Sequence, residues 1–259
     1  MRIPLYQVDA FTSQVFTGNP AAVCPLETWL DDSLLQAIAQ ENNLSETAFL
    51  VLEKNGYHIR WFTPVAEVPL CGHATLASAF VIFNYYHKED NKVTFSSQSG
   101  NLTVERKNDL LAMDFPSQPP TVCEAPEELL DGLGKDPLEV LSSENYLVVF
   151  SSEEDIIQLR PDMEKLKKLD LQGVIVTAQG KDVDFVSRFF APKLGIDEDP
   201  VTGSAHCALT PYWAQKLNKK TLHARQVSRR GGELFCADLG DRVEIAGRAV
   251  MFMEGIITV

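Results

Sequence analysis

One pentapeptide occurs twice. Arg60-Trp61-Phe62-Thr63-Pro64 is answered by Arg188-Phe189-Phe190-Ala191-Pro192, 128 positions later in a chain of 259 residues. Each copy closes an apolar, strand-like run and crosses a short acidic loop, VAEVPLC or KLGIDEDPVT. Each then enters a helical pattern through a small-residue turn, GHATLASA or GSAHCALT. Self-similarity at nearly half the chain length decides architecture before any single motif does. The expected fold is α/β (α+β), built of two similar halves related by pseudo-twofold symmetry, with the turns Gly72-His73 and Gly203-Ser204 facing one cleft.

The flanking patterns agree. The runs IPLYQVDAF, ETAFLVLE and YHIRWFT read as strands. Between the first two lies a helix from about Asp31 to Asn42, opened by Asp31 or Asp32, carrying Leu34, Leu35, Ile38 and Ala39, and stopped by Asn42-Asn43. A second helix follows Gly72, and KVTFSS, NLTVER and LLAMDF read as strands joined at Ser99-Gly100 and Asn108-Asp109. The Pro- and Glu-rich passage from about Pro116 to Asp136 reads as a connection rather than a packed element. It divides the chain into residues 1–116, with Glu46 and the Gly72-His73 turn, and residues 117–259, with the stretch from Asp199 to Ser204. The last strands are free to return to the first half. The second half then offers NYLVVF, a helix near Asp162 to Leu169, GVIVTA, DFVSRFF, a helix after Gly203, and hairpins from Leu222 to Val259.

Several function classes drop out. A formal charge of -13 opposes phosphate binding, so nucleic acid is excluded as a partner. No run approaches the ~20 apolar residues that a membrane-spanning helix needs. The opening MRIPLYQVDAF reads as a strand rather than a signal peptide, which makes the cytoplasm the default location. The five cysteines, Cys24, Cys71, Cys123, Cys207 and Cys236, are scattered and form no C-x-x-C pair, so free thiols are expected. No histidine has a second one at i+4 or a carboxylate at ligand spacing, and no metal is expected.

The two turns point to an anionic small molecule. A helix N-terminus exposes unpaired N–H groups and a partial positive charge, which suits a carboxylate or the enolate derived from it. Gly72 and Gly203 let ligand and backbone approach closely. Glu46 heads the apolar strand TAFLVL, where desolvation favours a proton-transferring carboxyl; spacing alone points rather to an exposed strand-end carboxylate or one bonded to a nearby helix terminus. His73 stands at a helix start, where the dipole disfavours its cation, and reads as an acid or base or as a structural histidine. Asp199 before Pro200 reads as an N-cap with a first-turn proline, a role that leaves catalysis open. Ser204 is an early-helix residue whose hydroxyl would face the cleft. Cys71 and Cys207 flank the turns, but one directly precedes its glycine and the other lies four residues after, a mismatch for two-thiol racemisation.

Four segments together carry a resemblance: Thr17-Gly18-Asn19-Pro20-Ala21-Ala22-Val23, Asn43-Leu44-Ser45-Glu46-Thr47-Ala48-Phe49, Cys71-Gly72-His73-Ala74-Thr75, and Glu198-Asp199-Pro200-Val201-Thr202-Gly203-Ser204-Ala205. In this order, and across the whole chain, they resemble the phenazine-biosynthesis PhzF family, which shares its fold with diaminopimelate epimerase. The resemblance implies halves that are each a mixed sheet wrapped around a central helix, a homodimer, and chemistry without a cofactor. It implies Glu46 as general acid and base, His73, Asp199 and Ser204 as further polar groups around substrate, and Asn19 lining the site. The phenazine enzyme isomerises a dihydroxylated cyclohexadiene carboxylate by removing a proton at one carbon and returning it at another. Epimerase relatives use two cysteines; Cys71 resembles the first, while the second falls near Pro200, which cannot ionise. Where the phenazine enzyme carries Ala-Gly-His-Pro this chain has Cys71-Gly72-His73-Ala74, so the substrate is left open. The expected function is a cofactor-independent isomerase acting on a small carboxylate. The alternatives are a racemase or epimerase using Cys71, and a non-catalytic metabolite- or partner-binding protein.

Overall fold

The computed structural model describes residues 1–259, which form two compact units: Met1–Asp114 with Ala246–Val259, and Phe115–Ile245. In the first unit the strands are β1 (Arg2–Ala10), β2 (Asn19–Leu26), β3 (Glu46–Glu53), β4 (Gly56–Phe62), β5 (Glu67–Val68), β6 (Lys92–Ser97), β7 (Gly100–Lys107) and β8 (Leu110–Pro116). The helices are α1 (Asp32–Asn42) and α2 (Gly72–Val81). β2 runs parallel to β3 and β4 parallel to β6, while β3–β4, β4–β5, β6–β7 and β7–β8 are antiparallel. Parallel neighbours need a crossover, and α1 and α2 supply the two crossovers.

Local chemistry explains both helices. α1 follows Asp31 and ends at Asn43 in the left-handed conformation, φ 48°, which asparagine tolerates better than most residues. α2 is built of small and apolar residues and is buried nearly all round, from His73 through Ala79 and at Val81. A helix apolar on every side belongs inside, and here the sheet wraps it. Its hydroxyls are satisfied within the helix: Thr75 Oγ1 donates to the Cys71 carbonyl at 2.6 Å and Ser78 Oγ to the Ala74 carbonyl at 2.7 Å. Past Val81 it widens into a π-helical turn, Ile82–Tyr86, where Arg106 donates to the Phe83 carbonyl at 2.9 Å.

The second unit contains β9 (Thr121–Val122), α3 (Glu127–Leu133), β10 (Glu139–Ser142), β11 (Tyr146–Val149), α4 (Glu153–Gln158), α5 (Met163–Leu166), β12 (Val174–Gln179), β13 (Phe185–Ala191), β14 (Ile196–Asp199), α6 (His206–Leu217), β15 (Thr221–Gln226), β16 (Gly232–Asp238) and β17 (Arg242–Gly247). β11 runs parallel to β12 and β13 parallel to β15; β12–β13, β13–β14 and β15–β16 are antiparallel. The order of elements from β2 to β7 therefore recurs from β11 to β16, with α6 in the place of α2. α6 is likewise buried along most of its length. It contains Pro211, which cannot donate to the Cys207 carbonyl; the Gln118 backbone N–H does so instead, at 3.0 Å.

Three local expectations need correction. The passage from Pro116 to Asp136 is not a bare connection: it contains α3, whose Leu129 and Leu133 lie in the second unit's core. The proline and acidic residues around it masked a short amphipathic turn. The helix near Asp162 to Leu169 is one turn, Met163–Leu166, with the Asp162 carboxylate accepting from the Glu164 and Lys165 N–H groups. The helix after Gly203 begins only at His206.

The chain closes with β18 (Ala249–Thr258), antiparallel to β1 from Arg2 opposite Thr258 to Ala10 opposite Ala249. No helix is long and apolar enough to cross a membrane.

Candidate active site

The repeated arginines hold equivalent places. Arg60 donates from Nε and Nη2 to the two Glu67 carboxylate oxygens, each at 2.7 Å, and lies 5.1 Å from the Phe62 ring centre. Arg188 forks onto Glu198 at 2.6 and 3.0 Å and lies 4.9 Å from the Phe190 ring centre. Each spends its remaining Nη1 on an outer helix: Arg60 on Asp32 at the start of α1, Arg188 on the Ile156 and Leu159 carbonyls at the end of α4.

Beyond the forks the repeat continues at a new offset. Glu67-Val68-Pro69-Leu70-Cys71-Gly72-His73-Ala74 matches Glu198-Asp199-Pro200-Val201-Thr202-Gly203-Ser204-Ala205, 131 positions on. The Pro69 carbonyl accepts from Ser99 Oγ and the Pro200 carbonyl from Ser228 Oγ, at 2.8 and 2.6 Å. The Cys71 carbonyl is met by Thr75 Oγ1, and the Thr202 carbonyl by His206 Nδ1–H at 2.9 Å. Sequence reading missed this longer match because the loop before it is three residues longer in the second copy. The partner of Cys71 is therefore Thr202, not the neighbourhood of Pro200, and a thiol pair is absent from the repeat itself.

In the first unit, β2 and β3 are parallel, so Asn19 and Glu46, their first residues, lie at the same strand end, beside the N-terminus of α2. Asn19, Glu46, Cys71 and His73 converge there, with Gly72 the first residue of the helix. His73 Nε2 lies 3.0 Å from Glu46 Oε2. On the other side of the ring, Asn19 Nδ2 is 3.2 Å and Cys71 Sγ 3.5 Å from Nδ1. Glu46 is 9% exposed and His73 5%.

A carboxylate, a thiol and an imidazole within 4.8 Å of one another are a possible donor set for a metal ion. Here, however, the imidazole lies between the other two groups and turns a different nitrogen to each. One ring nitrogen therefore faces only one of the other two donors, whereas a single ion bound by all three would need both on the same nitrogen's side.

Burial, and after it the Glu46 charge, pushes the Cys71 thiol up to about 11, so near neutral pH Cys71 is uncharged. Burial also works against a charged His73, but its two close polar neighbours, Cys71 and then Glu46, outweigh it and the direction is upward. The helix-dipole expectation of a disfavoured cation is thus overturned by a carboxylate at hydrogen-bonding distance.

In the second unit Asp199 is the last residue of β14, opposite Phe189 as Val68 is opposite Trp61. It is not a helix N-cap: six residues separate it from α6, whose own cap is Ala205. Thr202 Oγ1 donates to Asp199 Oδ2 at 2.5 Å. The fully buried Gln226, which sequence reading also missed, accepts from the Thr202 N–H at 2.9 Å and donates to the Asp199 carbonyl at 2.8 Å. Gly203 is buried in the turn, and Ser204, its neighbour, is exposed. His206 is driven down to about 4 by burial and serves as a neutral brace on Thr202.

A Pseudomonas aeruginosa protein named as an uncharacterized isomerase is 54% identical over 258 residues, covering 99% of both chains. The crystal structure of a PhzF-family phenazine biosynthesis protein from Enterococcus faecalis covers 100% of both chains with a TM-score of 0.98 and 50% identity. A hydroxyproline epimerase from Agrobacterium vitis shares the fold alone, with a TM-score of 0.64 at 9% identity over 99% of this chain and 92% of its own. The fold is accordingly the epimerase-like α/β fold, and the relatives support an isomerase or epimerase. The model of the phenazine biosynthesis-like PhzC-PhzF proteins matches residues 8–255, and the chain belongs to that family.

Proposed function

We propose that this protein is a proton-transfer isomerase that works without a cofactor on a small substrate bearing a carboxylate, with Glu46 as the group that removes and returns the proton. The observation that carries this reading is the contact of 3.0 Å between Glu46 and His73 at the buried N-terminus of α2. A base near a helix start is well placed: the free N–H groups of the first turn stabilise the enolate that forms when the proton leaves. In the step itself the C–H electron pair stays on the substrate as an enolate, the proton passes to the Glu46 carboxylate, where it exchanges with solvent, and the carboxyl gives a proton back at another carbon. Asp199 and Ser204 bind substrate in this reading, with Gly203 allowing close approach of the backbone. The racemase alternative has less support, because the buried Cys71 thiol stays protonated near neutral pH and its counterpart is Thr202.

The test works even when the product has not been identified. Small carboxylates are screened by thermal shift, and each hit is followed by NMR in D₂O. Wild-type protein is expected to wash deuterium into a bound hit, and Glu46→Gln to bind the same hit without exchange. Exchange at the wild-type rate in that variant removes Glu46 from the chemistry.

A further inference from the structure

We propose that Asn19 is a positioning residue that keeps His73 protonated at Nε2, so that the ring always offers a donor to Glu46; this rests on the reading of Glu46 as the proton-transferring group. The side-chain nitrogen of an asparagine only donates. Placed 3.2 Å from His73 Nδ1, it finds an acceptor there only when the ring is neutral and that nitrogen carries no proton. The other neighbour of Nδ1, Cys71 Sγ at 3.5 Å, brings a thiol, which is a donor as well. Both groups on that side thus oppose a proton on Nδ1, and the neutral ring carries its proton on Nε2, 3.0 Å from Glu46 Oε2. The titratable groups facing the ring are Glu46 from β3 and Cys71 from the N-cap of α2; Asn19, from β2, is uncharged.

The consequence is a division of labour within one carboxylate. Oε2 is shut away from solvent 3.0 Å from Nε2, a contact close enough for a hydrogen bond but not aligned as one, and a proton fixed on Nε2 keeps a donor beside it. Oε1 is left to meet the substrate. Any proton the ring gains or loses comes and goes at Nδ1, on the side away from Glu46. His73 then neither receives nor supplies the substrate's proton; it holds the glutamate in one orientation while Oε1 takes that proton and returns it.

Nitrogen NMR of ring-labelled histidine reads this in the free protein. At a pH above the His73 titration, wild type is expected to show an unprotonated Nδ1 and a protonated Nε2. Asn19→Asp keeps the shape but replaces the donor by a carboxylate acceptor, and is expected to raise the His73 midpoint by about one pH unit or more. The pH profile of deuterium exchange with a screened carboxylate is expected to shift the same way. A neutral wild-type ring protonated at Nδ1 overturns the proposal, as does an Asn19→Asp protein that is folded but has an unmoved midpoint. If that variant does not fold, the wild-type measurement decides alone. Because the ring measurement uses no substrate, its failure leaves the Glu46 exchange test standing, and the reverse also holds.

Discussion

Cys71 separates two chemistries at a single side chain. A proton-abstracting cysteine must be a thiolate at working pH, whereas this one is buried, feels the Glu46 charge across the His73 ring, and is pushed from 9.0 up to about 11. Two pH units mean a thiolate fraction about a hundredfold smaller than that of an ordinary thiol near neutrality. Alkylation of Cys71, followed by mass spectrometry, should therefore rise with pH without levelling off below about 11, and Cys71→Ala should keep most of the deuterium exchange that Glu46→Gln loses. Levelling near neutral pH, or loss of exchange in Cys71→Ala, would restore the thiol mechanism. Individual residues were readable to very different degrees. Glu46 and His73 stood in recognisable segments, but their contact with each other and with Asn19 joins positions 54 or 27 apart, a proximity created by parallel strand pairing that no local pattern encodes. Asp199 was misread because Asp-Pro gives the same local signal at a helix start and at a strand end. Gln226 carried no signal, since a lone glutamine acquires meaning only from the turn it clamps.

Among the elements, the arginine forks are where the internal repeat becomes a structural device, and the two should not be equivalent in stability. Arg60 has one partner, Asp32, that is 79% exposed at its side chain, and an exposed ion pair contributes little. Arg188 has a side chain only 10% exposed and also satisfies the Ile156 and Leu159 carbonyls, which close α4 and the residue after it. Arg188→Ala strands a glutamate and two carbonyls together, so a loss of about 3–5 kcal/mol is expected, measured by urea unfolding. Arg60→Ala should lose less, and Arg188→Lys should recover little because an ammonium cannot reproduce the fork. Equal losses at the two positions would mean that the α4 carbonyls contribute nothing. The pentapeptide was visible because Arg, Phe and Pro are distinctive letters at a fixed spacing. The short elements α3 and α5 were not readable as they are, because seven or four helical residues are too few to show a period and take their stability from the core they touch.

For the whole molecule, the two units differ in how the chain builds them. The second is continuous, Phe115–Ile245, while the first takes its last strand from the far end of the sequence, Ala246–Val259. β1 pairs with β2 only from Tyr6 to Ala10, so the stretch from Arg2 to Leu5 has β18 as its ladder partner. Pairing between ends so distant in sequence carries a large loop-closure cost and forms after local contacts are in place. Deleting Ala249 to Thr258 should therefore unravel the first unit selectively. β1 would become an exposed edge, with Ile3 and Leu5, both buried in the native chain, losing their cover. Limited proteolysis read by mass spectrometry should then cut early within residues 1–114 and leave a resistant fragment close to residues 115–245. A truncated protein whose first unit resists cleavage as well as the second would show that β2 alone holds β1 in place, and that the strand returning from the far end of the chain adds cover rather than stability.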